Sequence, residues 1–195
     1  MKVLRVLLVL SLLGSLVTLG FAQTKDLGMG AFENESGQIR LAVDAALADE
    51  MINSPYVMFI LYMAAPDEHH QIVINRDSIV MIYKGQEYKM PSVSELRKNY
   101  QGEIHDVDLY RHLGKEGIAS TWIRLYQFPP RSDFFPPLTM RAPVPVDEAT
   151  LQGFIGFRTK VYFKNPGFKK GDTLTIKVTA KNDPSVSGQV DVVLK

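Results

Sequence analysis

The densest run of side chains able to do chemistry is His105, Asp106, Asp108, Tyr110, Arg111 and His112. If Glu103 to Leu113 is a helix, His105, Asp108 and His112 fall at i, i+3 and i+7 on one face. Imidazole and carboxylate both bind zinc, and three protein ligands with an open fourth position resemble a catalytic site. If the segment is a strand, His105 faces away from Asp108 and His112 and the triad dissolves. The same residues also suit an exposed face with contacts from Asp108 to Arg111 and His112. His69 and His70 follow Asp67 and Glu68 in an interstrand loop and are further candidate ligands. Adjacent residues on a strand point opposite ways, however, and a solvated polar turn accounts for them without metal. A metal-dependent hydrolase built on these five positions is one reading, and zinc is the only cofactor it would need.

Other chemistries find less support. No Gly-x-Ser-x-Gly, phosphate loop or dinucleotide fingerprint is present. Carboxylate pairs such as Asp106/Asp108 and Asp147/Glu148 exist, but glycoside hydrolysis needs a spacing in space that sequence does not give. Trp122 and surface tyrosines suggest a carbohydrate-binding module as an alternative. Phe134 and Phe135 lie between two Pro-Pro pairs and are candidates, with Trp122, for a rigid apolar contact surface. The competing expectation is that the two rings fold back to cover a sheet edge.

These residues sit in a chain that starts Met1-Lys2-Val3-Leu4-Arg5, continues apolar to Leu13, and reaches Gly20-Phe21-Ala22. A basic start, a short apolar core and small residues two apart make a secretory signal peptide over residues 1–22, cut before Gln23. The run is short for a membrane anchor and contains Ser, Thr and Gly. The expected location is therefore outside the cytoplasm, periplasmic or extracellular. There is no cysteine, which excludes disulfides, a Cys-zinc site and a thiol nucleophile. The 22 Lys and Arg nearly balance 21 Asp and Glu, so no nucleic acid footprint is expected. No second long apolar run exists, so no stable membrane span is expected in the mature chain.

Residues 23–38 read as a flexible leader and residues 39–195 as one domain. Ile39 to Leu47 alternates like a strand, although its alanines also suit a helix. Tyr56 to Ala65 is apolar on both faces, as a central strand covered on both sides would be. Ile72 to Asn75 is a short strand. Ile79 to Met90 predicts a hairpin turning at Gly85-Gln86, with Lys84 opposite Glu87 and Tyr83 opposite Tyr88. Ser92 and Glu95 form a capping box before a short helix. Thr121 to Phe128 reads as a strand. Six of the eleven prolines fall between Pro129 and Pro145, which excludes a helix or a central strand there.

Phe154 to Phe163, Thr173 to Thr179 and Gln189 to Leu194 all alternate, separated by turn residues. Thr173 to Thr179 is the clearest, with Leu174, Ile176 and Val178 on one side. The expected fold is mainly β: an antiparallel β-sandwich with a short helical insertion around residues 92–113. Its Gly171-Asp172 turn into an alternating strand resembles those of exported immunoglobulin-like modules, over the last quarter of the chain. That resemblance implies a sandwich and no particular activity. The leading expectation is an exported, non-enzymatic β-sandwich that binds a protein or surface component in the bacterial envelope or outside the cell.

Overall fold

A computed structural model describes residues 24–113, 122, 124–129, 132–136 and 144–195, with backbone alone at 107, 110–113 and 144. The proposed signal peptide lies outside the described residues. Among the described residues the fold is mainly β, with antiparallel sheets, a few short helices and no closed barrel.

One sheet has five strands in the order β1 (Lys25–Gly28), β2 (Ala31–Asn34), β3 (Arg40–Asp44), β4 (Tyr56–Ala64) and β11 (Phe157–Lys164). The other has four, in the order β13 (Ser187–Val193), β12 (Thr173–Thr179), β6 (Ile79–Tyr83) and β7 (Gln86–Lys89). A further pair, β5 (Ile72–Asn75) with β10 (Glu148–Leu151), continues past the end of β12, because Lys181 N donates to Val73 O at 2.7 Å. Two short strands, β8 (Ser132–Asp133) and β9 (Val144–Pro145), pair in parallel beside β11.

The two sheets close on a common core. Leu174, Ile176 and Val178 of β12 and Val190 and Val192 of β13 are all buried. They join Val57, Phe59, Leu61 and Met63 of β4 and Val161 and Phe163 of β11 in one apolar cluster. Period two puts these residues on inward faces, as the sequence predicts for β11 to β13. Thr173, Thr175, Lys177 and Thr179 are left on the outer face. The sheets touch at β13, where a Cβ on Gly188 would stand 2.2 Å from Ile39 O. Only glycine allows that approach.

The five-stranded sheet is also covered on its far side. Register pairs Met58 with Tyr162, Ile60 with Lys160 and Tyr62 with Arg158, so these side chains share the outer face of β4 and β11. Helix α3 (Glu103–Leu113) and the helical turn at Trp122–Leu125 lie over that face. All nine residues of β4 are buried, as a central strand covered on both sides must be.

Several expectations need correction. Residues 23–38 are not a loose leader: Lys25–Gly28 and Ala31–Asn34 are strands of the larger sheet, and β2 is buried throughout. Gly and Asn there serve turns, and Phe32 supplies a core side chain. Asn34, first in a glycosylation-like tripeptide, is 2% exposed and gives its Nδ2 hydrogen to Gln189 O. Ile39 to Leu47 divides: β3 ends at Asp44, whose carboxylate accepts Ala46 N, and α1 (Ala46–Glu50) follows. The hairpin exists, but it turns at Lys84-Gly85, pairing Tyr83 with Gln86 and Met81 with Tyr88. Both turn residues have positive φ, 50° and 77°. Positive φ at both central residues gives a two-residue turn whose twist matches that of the flanking strands. α2 (Val93–Asn99) starts as predicted, with Ser92 Oγ accepting Glu95 N at 3.0 Å. The strand expected over Thr121–Phe128 is replaced, where described, by a helical turn and a single bridge at Gln127. Winding the chain puts Trp122 and Tyr126 on one face, their rings 5.2 Å apart.

Candidate functional site

Glu103–Leu113 is a helix, which satisfies the condition for the triad, but the two predicted ligands on it whose side chains are described face away from the protein. His105 and Asp108 are exposed, while Glu103 and Asp106 are buried beneath. The side chain of His112 lies outside the described residues. His69 and His70 are exposed on the loop between β4 and β5. There His70 Nδ1 meets both Asp67 oxygens, at 2.8 and 2.9 Å. The His70 contact and the His69 N–H hold the Asp67 carboxyl below its ordinary range. Among the described residues no group of three or more His, Asp or Glu could hold a metal ion. The loop is thus a self-paired polar turn, and alternation alone could not tell which side of α3 would face inward.

The three aromatic residues picked for contact are interior. Trp122 is 0% exposed, Phe134 1% and Phe135 0%, so none offers a surface to a partner or a stacking face to a sugar. Trp122 Nε1 donates to Glu33 Oε2 at 3.4 Å, and Tyr126 Oη accepts from Arg40 Nη1 at 2.7 Å. Phe134 packs on Phe157, and Phe135 packs edge-on against Tyr162, with centroids 5.0 and 5.3 Å apart. The Arg76 guanidinium lies 4.2 Å from the Phe135 centroid and donates to the carbonyls of Phe134 and Pro91.

Asp133 fixes this loop on the free edge of β11. Its Oδ1 accepts from Thr159 Oγ1 at 2.7 Å, Phe135 N at 3.0 Å and Lys160 N at 3.3 Å. Its Oδ2 meets Lys160 Nζ at 2.5 Å. One carboxylate thus satisfies several donors at the edge it covers. The rings therefore fold back over a sheet edge, the competing expectation of the two.

A second group of polar side chains lies under α3. Tyr100 Oη donates to Asp106 Oδ1 at 2.9 Å. Asp106 Oδ2 and Tyr162 Oη are buried without a hydrogen bond of good geometry, although each is close enough to the other to affect its ionisation. Burial pushes the Asp106 carboxyl up to about 6, against the pull of the two phenols and His105. Burial also raises Glu103, opposed by Arg97 and Lys160. Both phenols are pushed upward, mainly by burial and then by the nearby Asp106 charge. Sequence reasoning grouped Asp106 with the histidines and missed Tyr100 and Tyr162, whose meeting with it depends on how β11 and α3 dock.

Three of the exposed apolar residues lie elsewhere, at one end of the sandwich. Phe154 is 64% exposed, Ile155 49% and Leu125 50%. Gln127 N donates to Phe154 O at 2.7 Å and Gln127 O accepts Gly156 N at 3.0 Å, tying the Leu125–Phe128 segment to this turn. On its other side the turn meets the β4–β5 loop, since a Cβ on Gly153 would sit 3.7 Å from Glu68 Cγ. An exposed phenylalanine and isoleucine thus stand beside the exposed Asp67, Glu68, His69 and His70. Large apolar side chains grouped on a loop end are suited to contact and have no means of making or breaking bonds. Gly-Phe-Ile-Gly was legible in the sequence, but it merged with the start of β11.

No family model, curated protein or solved structure matches the chain. The class defined by the fold is a mainly β protein with antiparallel sheets in a sandwich-like arrangement. Among the described residues no helix is long and apolar enough to cross a membrane.

Proposed function

We propose that this chain is an exported, non-enzymatic β-sandwich that binds a partner protein in the bacterial envelope or outside the cell. The binding surface is the end formed by Leu125, Phe154 and Ile155, edged by Asp67 and Glu68. The observation that carries this reading is the grouping of large exposed apolar side chains on a loop held by the Gln127 bonds. Apolar anchors within a polar rim are the usual composition of a protein contact. Export rests on the basic and apolar pattern of residues 1–22.

The test compares wild type with a Phe154→Ser/Ile155→Ser variant, each immobilised and exposed to envelope and medium fractions. The wild type should retain a discrete protein that the variant loses, with melting temperatures unchanged because both side chains face solvent. Equal retention by the two, or turnover of ester, peptide or glycoside substrates by the pure protein, would overturn the proposal. Mass spectrometry of the cellular protein should find its N-terminus at Gln23; an unprocessed cytoplasmic chain would contradict the assigned location.

A further inference from the structure

The four-stranded sheet turns one face to the core and the other outward. Alternation along β12 puts Thr173, Thr175, Lys177 and Thr179 on the outward face. Register supplies their neighbours. Asp191, Thr175, Ile82 and Glu87 form one row across β13, β12, β6 and β7. Gln189, Lys177, Val80 and Lys89 form the next row. Val80 and Ile82 are half-buried at the centre, while Asp191, Gln189, Glu87 and Lys89 are exposed at the sides. β-branched residues among polar ones suit a solvated sheet face. That preference does not account for where the charges fall.

Both acids stand in the first row and both lysines in the second. Asp191 is held in its row, because Thr175 Oγ1 donates to its Oδ1 at 2.6 Å. Glu87, Lys89 and Lys177 form no salt bridge among the described residues. Consider a two-fold axis that crosses the strands midway between the two rows. It sets the acid row of one copy on the lysine row of the other. Glu87 of each copy then faces Lys89 of the other, and Ile82 faces Val80. Lys177 comes onto Thr175 and the Asp191 bound to it, and Thr173 meets Thr179. A two-fold axis parallel to the strands, between β12 and β6, would instead put Asp191 on Glu87, acid against acid. Both arrangements keep the strands aligned, as sheets packed face to face require. Charge therefore selects the first and opposes the second. Such self-complementarity is what a symmetric contact between two copies demands.

We propose that this outward face is a docking surface for a second copy of the chain, which packs on it about the axis that crosses the strands. At about 4.8 Å between strands and about 3.3 Å per residue, the face measures about 20 by 20 Å. The dimer therefore buries about 1,000 Å² in all, the low end for a specific contact, and it exchanges readily with monomer. Leu125, Phe154 and Ile155 do not belong to the face, so the dimer goes beyond the partner contact proposed at that end and does not depend on it.

Sedimentation velocity of the full purified protein at low salt tests it. The wild type should pass from monomer to dimer as concentration rises, with a dissociation constant on the order of 100 µM. Glu87→Lys and Lys89→Glu should each weaken the dimer about tenfold, since each puts like charges at both symmetry-related contacts. Mixed together, these two variants should associate at least as well as the wild type, because one then offers only lysines and the other only glutamates. Glu87→Lys/Lys89→Glu in a single chain should also dimerise, its charges being exchanged across the axis. Both positions are exposed on β7, so melting temperatures should hold. A wild type that stays monomeric would overturn the proposal, as would a dimer indifferent to the single variants or no recovery on mixing. Loss of the dimer in Phe154→Ser/Ile155→Ser would move the contact to that end and overturn it equally. The wild-type concentration series stands as a test even if a variant does not fold.

Discussion

Replacing Asp133 by alanine should be among the most damaging single changes outside the apolar core. The residue is 9% exposed and its carboxylate holds four donors: Thr159 Oγ1, Phe135 N, Lys160 N and Lys160 Nζ. The Lys160 side chain is itself only 14% exposed, so alanine leaves a cation in a desolvated place. Removing one partner of a buried ion pair costs about 3–5 kcal/mol, and an orphaned buried donor about 1–3 kcal/mol. The two overlap, so the expected loss is about 4 kcal/mol, a large part of the ~5–15 kcal/mol typical of a domain. Asp133→Asn retains an acceptor for Thr159 and Phe135 and should lose about half as much. Asp133→Ala with Lys160→Met should recover much of the loss, because no lone cation remains and Glu103 is already held toward its neutral form by burial. Urea unfolding read by tryptophan fluorescence measures all three. A loss below about 1 kcal/mol for Asp133→Ala, or no recovery in the double variant, would refute the view that this carboxylate clamps the loop.

Two further expectations concern the scaffold. Gly188→Ala places a carbon 2.2 Å from Ile39 O, so β13 or β3 must shift. Calorimetry should show a loss of about 2–3 kcal/mol, and an unchanged melting temperature would contradict the close approach. The Asp172 carboxyl is held low first by the hydrogen bond from Tyr83 Oη, at 2.7 Å, and then by Lys169 N. Its contribution to stability is present above the ordinary value of 3.8 and lost as pH falls below it. Tyr83→Phe should let the carboxyl rise toward that value in an NMR titration; no movement would show that the backbone bond alone suffices.

Legibility varied with the physical source of each feature. β12 appears in the structure with the bounds read from alternation, β5 with the bounds expected, and β4 within one residue of its Pro-bracketed apolar run, because these are local properties of the chain. Lys25–Asn34 was not legible as strand. Its Gly and Asn content resembles a leader, and only pairing with β3 supplies the reason to be extended. The Phe134-Phe135 segment was recognisable as rigid, but its burial depends on Asp133, Thr159 and Arg76, which come from three separate parts of the chain.

The candidate site divides the same way. Composition alone excludes cysteine chemistry, since the chain has no cysteine. Local pattern alone gives the mainly β class, several strands of the core and the start of α2. Which side of α3 meets the sheet is a docking decision. It carries Asp106 inward to Tyr100 and Tyr162 and leaves His105 and Asp108 outside. The exposed tip at Phe154 and Ile155 is likewise set by the Gln127 bonds and the neighbouring β4–β5 loop. Periodicity records which residues share a face, but the partner that covers the face decides whether it is core or surface.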